Sequence, residues 1–236
     1  SLAESELSGE ASHQPWRGYW WPNKGLPMLR PLEKFEGFAA ARGRNLQATE
    51  WESSHHVSHG LWWEGHCNGW AAASILRPEP RSSFTDDSSD ERFSVSDLKG
   101  ILSEADYCAH AAVFGSRNNG NGDPNDIYPE TFHRTLLYYI GSLHKPIAVD
   151  YRNDSVVDNR VISSYSMKLE RLDQNRTLVT ATLRLHSYDG HRSEKPGPAP
   201  SSLRTYRYIL GEGRGRWLSE NPDFLWVPLS PGRCSG

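Results

Sequence analysis

The sequence predicts an α+β protein in which N-terminal helices pack on a C-terminal antiparallel sheet. Three observations predict it. Up to residue 141 the apolar residues recur at helical spacing, as Phe132, Leu136, Leu137 and Ile140 do. Beyond it they alternate, as Val179, Ala181, Leu183 and Leu185 do, which is the period of a half-buried strand. The alternating runs follow one another across short turns, so the strands form a meander after the helices.

Residues 1–14 are polar and read as a frayed terminus, 15–230 as a single catalytic domain and 231–236 as a tail. PWRGYWWPNKGLPMLRP, 15–31, is too broken by Pro and Gly for a helix and reads as an extended segment laid over the domain surface by its aromatic side chains. Leu32, Phe35, Phe38 and Ala39 share one face of a short helix ending near Gly43. Ala71, Ala72, Ala73, Ile75 and Leu76 are strong helix formers in WWEGHCNGWAAASIL, 62–76, and that helix must stop by Arg77 because Pro78 and Pro80 follow. After a polar loop at 81–94, Ser94 or Ser96 caps a helix through Leu98, Ile101, Leu102 and Ala105 toward Phe114. SRNNGNGDPNDIY, 116–128, is a loop of turn formers. Pro129 opens the next helix and Gly141 ends it. Strands are then expected within 143–152, 156–172, 173–188 and 203–211, with a final one in RGRWLSENPDFLWVPL.

With 236 residues, 36% of them hydrophobic, the chain can bury a sizeable core. A net charge of -3 with dispersed basic residues leaves no footprint for nucleic acid, and no apolar run reaches the roughly 18 residues of a membrane span. The opening lacks the basic-then-apolar pattern of a leader, and a secreted, processed form is the expectation.

Cys67 follows a Gly-His pair at the start of a predicted helix. There unpaired amides and the positive end of the helix dipole favour the thiolate, the nucleophilic form. A small buried apolar cysteine is the alternative. Trp51, Trp62, Trp63 and Trp70 can wall a cleft beside it or serve as core. Cys108 reads as a structural residue of a core helix and Cys234 as part of a mobile end; the odd count and wide spacing argue against a disulfide framework or a zinc site. His55, His56 and His59 read as a polar loop, and no metal is assigned to the histidines. The oxygens of 116–128 can hold calcium but lack the EF-hand spacing.

Several separate stretches resemble the transglutaminase elicitor family of oomycetes and bacteria. They are PWRGYWWP, WEGHCNGWAAASILRPEP, DIYPETFHRTLLYYIG, AVDYRND with VVDNRVISSY, and NPDFLWVPL, in family order over roughly 15–229. The resemblance implies a papain-like core, a nucleophilic cysteine and calcium-supported cross-linking of protein glutamine to lysine amines; the sequence itself requires no cofactor. Two departures stand out. The family's elicitor peptide reads VWNQPV, whereas Val157, Asp158, Asn159, Arg160 and Val161 lack its tryptophan and proline. The family often has histidine before PDFLW, where this chain has Asn221, so the base is sought elsewhere.

The expected chemistry is acyl transfer on protein or peptide substrates that carry glutamine and amine groups. A thiolate needs a histidine to hold it as an ion pair and protonate the leaving group, and a carboxylate or amide to orient that histidine. Cys67 supplies the sulfur, His133 is the general acid and base, Asp150 the orienter and Asn159 its alternate; His144, His110 and His66 are weaker candidates for the base. The Cys67 amide with Asn23 or Lys24 is the candidate oxyanion hole. Three classes stay open: a protein-glutamine gamma-glutamyltransferase, a papain-like cysteine protease or glutamine deamidase, and a catalytically dead binding or elicitor module.

Overall fold

A computed structural model describes residues 3–117 and 126–234. In chain order the elements are strand β1 (Glu4–Glu10), helices α1 (Leu29–Ala40), α2 (Ala48–His55) and α3 (Cys67–Leu76), strands β2 (Phe84–Thr85) and β3 (Arg92–Phe93), helix α4 (Val95–Ala105) and strand β4 (His110–Gly115). Helix α5 (Pro129–Leu136) follows and widens into a π-turn at Leu137–Ser142. The remaining strands are β5 (Ile147–Asp150), β6 (Asn159–Arg171), β7 (Thr177–His186), β8 (Ser201–Leu210), β9 (Arg216–Trp217) and β10 (Phe224–Ser230). The α+β class is therefore as the sequence predicts. Where one domain was expected over 15–230, the residues gather in two compact units.

One unit takes in 1–15, 111–187 and 200–229 and is built on the large sheet. Its strand order is β4-β10-β5-β6-β7-β8-β9, with β1 also paired to β6. Residues 4–10 are not frayed: they run antiparallel to β6, Leu7 opposite Met167, because their polar side chains tolerate an exposed edge while their backbone groups find partners. One sheet face carries Val149, Ile162, Leu183, Leu185, Tyr208 and Leu225 and shares a core with Phe132 and Leu136 of α5. Side chains alternate across a strand, so the neighbouring positions Ala148, Asp150, Asn159, Val161, His186 and Trp226 stand on the opposite face.

The other unit takes in 16–110, 188–199 and 230–236. The segment read as a surface strap is instead core: Trp16, Trp21 and Met28 are buried, and the Trp16 and Trp70 indoles donate to the carbonyls of Arg77 and Trp16 at 3.0 and 2.9 Å. The Trp16 and Trp70 indoles can be buried because each N–H finds a backbone acceptor, whereas Trp21 Nε1 is buried without a hydrogen-bond partner. Ser94 caps α4, and with Asp97 it forms a reciprocal capping box. The helix stops at Ala105; the Ala-rich stretch that follows is a turn and a strand, since Asp106 leaves the helical path to bind Arg77 through two hydrogen bonds of 2.5 and 2.8 Å. Cys108 and Cys234 form a disulfide across 126 residues, which overturns the reading of a core-helix thiol and a mobile end. Sequence separation says nothing about spatial distance, so the wide spacing was no argument against the bond.

Helix α3 is buried on every side, with Gly69, Trp70 and Ala71, Ala72, Ala73 all covered. Gly69 lets α4 pack backbone to backbone: a Cβ there would lie 2.0 Å from the Ser103 carbonyl oxygen. Gly69→Ala is therefore expected to destabilise the fold by about 1–3 kcal/mol, the range for forced overpacking. Urea unfolding would check this, and an unchanged midpoint would show that the two helices separate freely.

Candidate functional site around Cys67

Cys67 is the first residue of α3 and lies outside the Cys108–Cys234 disulfide. Its thiol is largely covered, with 6% of the residue exposed. The turn before it is fixed by backbone bonds, His66 N–H to the Trp20 carbonyl at 2.7 Å and Asn23 N–H to the Glu64 carbonyl at 2.9 Å. Asn23, one proposed oxyanion donor, is thus buried and paired with Glu64, three residues before Cys67, whereas Lys24 is exposed. Of the four tryptophans expected near the sulfur, Trp70 is core, Trp62 is 70% exposed and Trp51 stacks on His55 at 4.4 Å.

Beside Cys67 lies a cluster that the sequence did not disclose. His56, read as a polar loop residue, is buried with Glu52 and His66, and Glu104 stands half-buried beside them. Glu52 and His56 come from α2 and its C-terminal cap, His66 caps α3, and Glu104 comes from α4. His66 Nδ1 donates to the Trp21 carbonyl at 2.7 Å, and its Nε2 faces Glu104 at 2.9 Å, Glu52 at 3.0 Å and His56 Nδ1 at 3.0 Å. Burial disfavours the charged imidazole, but hydrogen bonds and attraction from the two carboxylates outweigh it and raise the His66 pKa to about 9. Burial likewise opposes ionisation of Glu52, and its bonds to His56 and His66 reverse this, bringing it down to about 2. Glu104 is pushed up, chiefly by burial. With both ring nitrogens engaged, His66 is ill placed to serve as a proton shuttle for the sulfur.

Tyr107 joins the same surroundings, its ring 4.3 Å from that of His56. Its hydroxyl pKa rises to about 12 through burial first and then the negative charge of Cys67, Glu104 and Glu52.

The other residues expected at the site lie in the sheet unit. His133 is on the core side, its Nδ1 2.9 Å from the Tyr208 hydroxyl, and burial lowers its pKa. Asp150 and Asn159 are cross-strand partners on the opposite face. The sheet therefore separates His133 from Asp150 and Asn159, and neither can orient the His133 ring. His144 is exposed with its Nδ1 on the Glu10 carbonyl, and His110 is exposed in β4. A histidine that sequence reasoning passed over shares the face of Asp150 and Asn159: His186 on β7, opposite Val161, with Nε2 2.7 Å from the Ser163 hydroxyl. Asn159 Oδ1 accepts from the Trp226 indole at 2.9 Å. The available signal was parity, since His186 falls on the polar register of an alternating strand. For the cluster it was the i,i+4 pair Glu52 and His56, which share one helix face.

The calcium candidate in 116–128 lies over residues 118–125 outside the described residues. No described helix is long and apolar enough to cross a membrane.

A family profile described as transglutaminase elicitor matches residues 49–189, which include Cys67, the cluster and His186. The chain belongs to the transglutaminase elicitor family. No curated protein matches it. Among solved structures it is similar to the GP42 transglutaminase from Phytophthora sojae, with a TM-score of 0.68 over 98% of this chain and 86% of that one, at 16% identity. That identity carries the fold alone. Membership of the transglutaminase elicitor family makes Cys67, in the matched span, the residue on which its chemistry can be tested.

Asp150 gives a separate handle on the sheet. It is fully buried, and burial, with Asp223 adding to it, raises its pKa to about 7 while the Asp158 amide opposes the shift. The folded state therefore holds a proton that the unfolded state releases near pH 4, so stability falls as pH climbs from about 4 to about 7. Urea unfolding should show a drop approaching 1.4 kcal/mol per pH unit in that window. Asp150→Asn keeps an acceptor for the Asp158 amide and should remove that slope; parallel profiles would mean the carboxyl titrates normally.

Proposed function

We propose that the chain is a cysteine-dependent acyltransferase of the transglutaminase type, built on a papain-like core, acting on protein glutamine. The observation that carries this reading is Cys67, a cysteine outside the disulfide at the first position of a buried helix inside the span matched by the family. Its thiolate attacks the carboxamide carbon, the C–N bond breaks and ammonia leaves with a proton. The thioester is then opened by an amine, which forms an isopeptide bond and returns the sulfur. The helix N-terminus favours the anionic sulfur on which the first step depends. The Cys108–Cys234 disulfide supports an oxidising compartment, in keeping with secretion. Calcium support belongs to the proposal through the family resemblance.

For the proton-transfer role, His133 is the residue of the sequence reading and His186 is offered beside it. His186 stands on a strand, on the face that holds Asp150 and Asn159, whereas the His133 ring is turned to Tyr208. Asn159 is retained as the polar group of that face. A second reading, a binding or elicitor module, is favoured by the family description itself, and by Asp158, which pairs with Arg160 at 2.9 Å where the family peptide has tryptophan.

The decisive assay follows a fluorescent primary amine into a glutamine-rich acceptor such as casein, with and without calcium, while ammonia is measured. Incorporation by the native chain and none by Cys67→Ser is expected. Ammonia without incorporation would indicate a deamidase, and neither product would leave the binding module. Iodoacetamide on the unreduced protein should label one thiol, Cys67; labelling of Cys108 before reduction would contradict the disulfide.

His186→Ala is expected to lower turnover by a factor on the order of 100 or more with little change in Tm. His133→Ala should act mainly on Tm, because it vacates a place against the Tyr208 core. The reverse pattern would return the role to His133.

A further inference from the structure

The Glu52, His56, His66 and Glu104 cluster has a use beyond the acyl-transfer reading. Its four donor atoms, one from each residue, lie within 4.8 Å of one another. His66 Nε2 is 2.9 to 3.0 Å from an oxygen or nitrogen of each of the other three. A tetrahedral zinc ion with bonds of about 2.0–2.2 Å sets its donors roughly 3.3 Å apart, close to this spacing.

Two further observations point the same way. The His66 Nδ1 proton is committed to the Trp21 carbonyl at 2.7 Å, so in the neutral ring Nε2 carries the lone pair and faces the cluster. That outer hydrogen bond is the device that orients a metal-ligating histidine. Glu52, 1% exposed, and Glu104 each turn a buried oxygen, Oε1 and Oε2, toward this point, and both crowd the same His66 Nε2. One N–H could serve only one of the two carboxylates around it, and His56 Nδ1 lies 2.5 Å from the other oxygen of Glu52.

We propose that Glu52, His56, His66 and Glu104 bind one divalent transition-metal ion, zinc by preference, as a structural site that ties α2, α3 and α4 together. The donor set argues for that class. Two imidazoles select against calcium and magnesium, which take oxygen, and two carboxylates neutralise a dication in a buried place. Four protein donors close the tetrahedron, which is the form of a structural rather than a hydrolytic site. Cys67 is the residue after one ligand, so the ion would hold the start of α3 without taking part in the reaction.

The test uses the tag-free full chain and needs no activity assay, so it succeeds or fails independently of the acyltransferase reading. After EDTA treatment, gel filtration into micromolar zinc and elemental analysis, one zinc per chain is expected. Saturating zinc should raise Tm by roughly 5–10 °C. Cobalt(II) should give the visible bands of a tetrahedral nitrogen and oxygen site without a sulfur charge-transfer band, unchanged in Cys67→Ser. Glu104→Gln and His56→Gln, each close in shape to the residue replaced, should weaken zinc binding by at least about tenfold. The proposal is overturned if the folded native chain takes up no zinc, its cluster then being a protonated His66 held by two carboxylates. It is equally overturned if both variants bind as tightly as the native chain, or if the cobalt spectrum shows a sulfur band that Cys67→Ser removes.

Discussion

The buried charge around His66 is the constraint on which the neighbourhood of Cys67 depends. Two carboxylates, Glu52 and Glu104, come from different helices into one covered place, and removing such a charge from water costs several kcal/mol even after relaxation. They can stay there only with positive charge between them. His66 or an ion at the same point provides it. Because the His66 backbone caps α3, while its N–H binds the Trp20 carbonyl and its Nδ1 the Trp21 carbonyl, the charge cluster, the aromatic N-terminal segment and the helix start are one connected assembly. The position of Cys67 follows from it covalently.

In the sheet unit the governing constraint is the two-residue period of a strand. Val149 and Asp150 are neighbours in sequence, yet the first joins the α5 core and the second stands on the far face with Asn159 and His186. A carboxyl so buried is held partly protonated near neutrality, and the Asp158 amide supplies its fixed partner. Polar groups of this kind survive in a covered sheet face because each takes at least one hydrogen bond, as Asn159 does from Trp226 and His186 does with Ser163.

Family membership and fold likeness bear on different links of the argument. The profile reaches from α2 to just past β7 and so spans both Cys67 and His186, while the likeness to the GP42 transglutaminase covers nearly the whole chain as a fold. Chemistry rests on neither alone. The proposed chemistry rests on Cys67, the cysteine outside the Cys108–Cys234 disulfide, at a helix terminus that favours a thiolate.

Much of the architecture was legible because it is written in local spacing. The helix after Cys67, the Ser94 cap, the Pro129 helix start and the meander from residue 143 all rest on interactions between residues a few positions apart, and all are present. The family was legible too, from motifs in order. What the sequence could not decide were pairings between distant residues: Cys108 with Cys234, β1 with β6, and His56 with His66 and Glu104. It also could not decide on which face of a strand a polar residue would stand, as with His186 beside Asp150 and Asn159. Spacing along the chain determines which elements form. Only their packing determines which side chains meet, because burial and register are properties of the folded chain and not of any stretch of it.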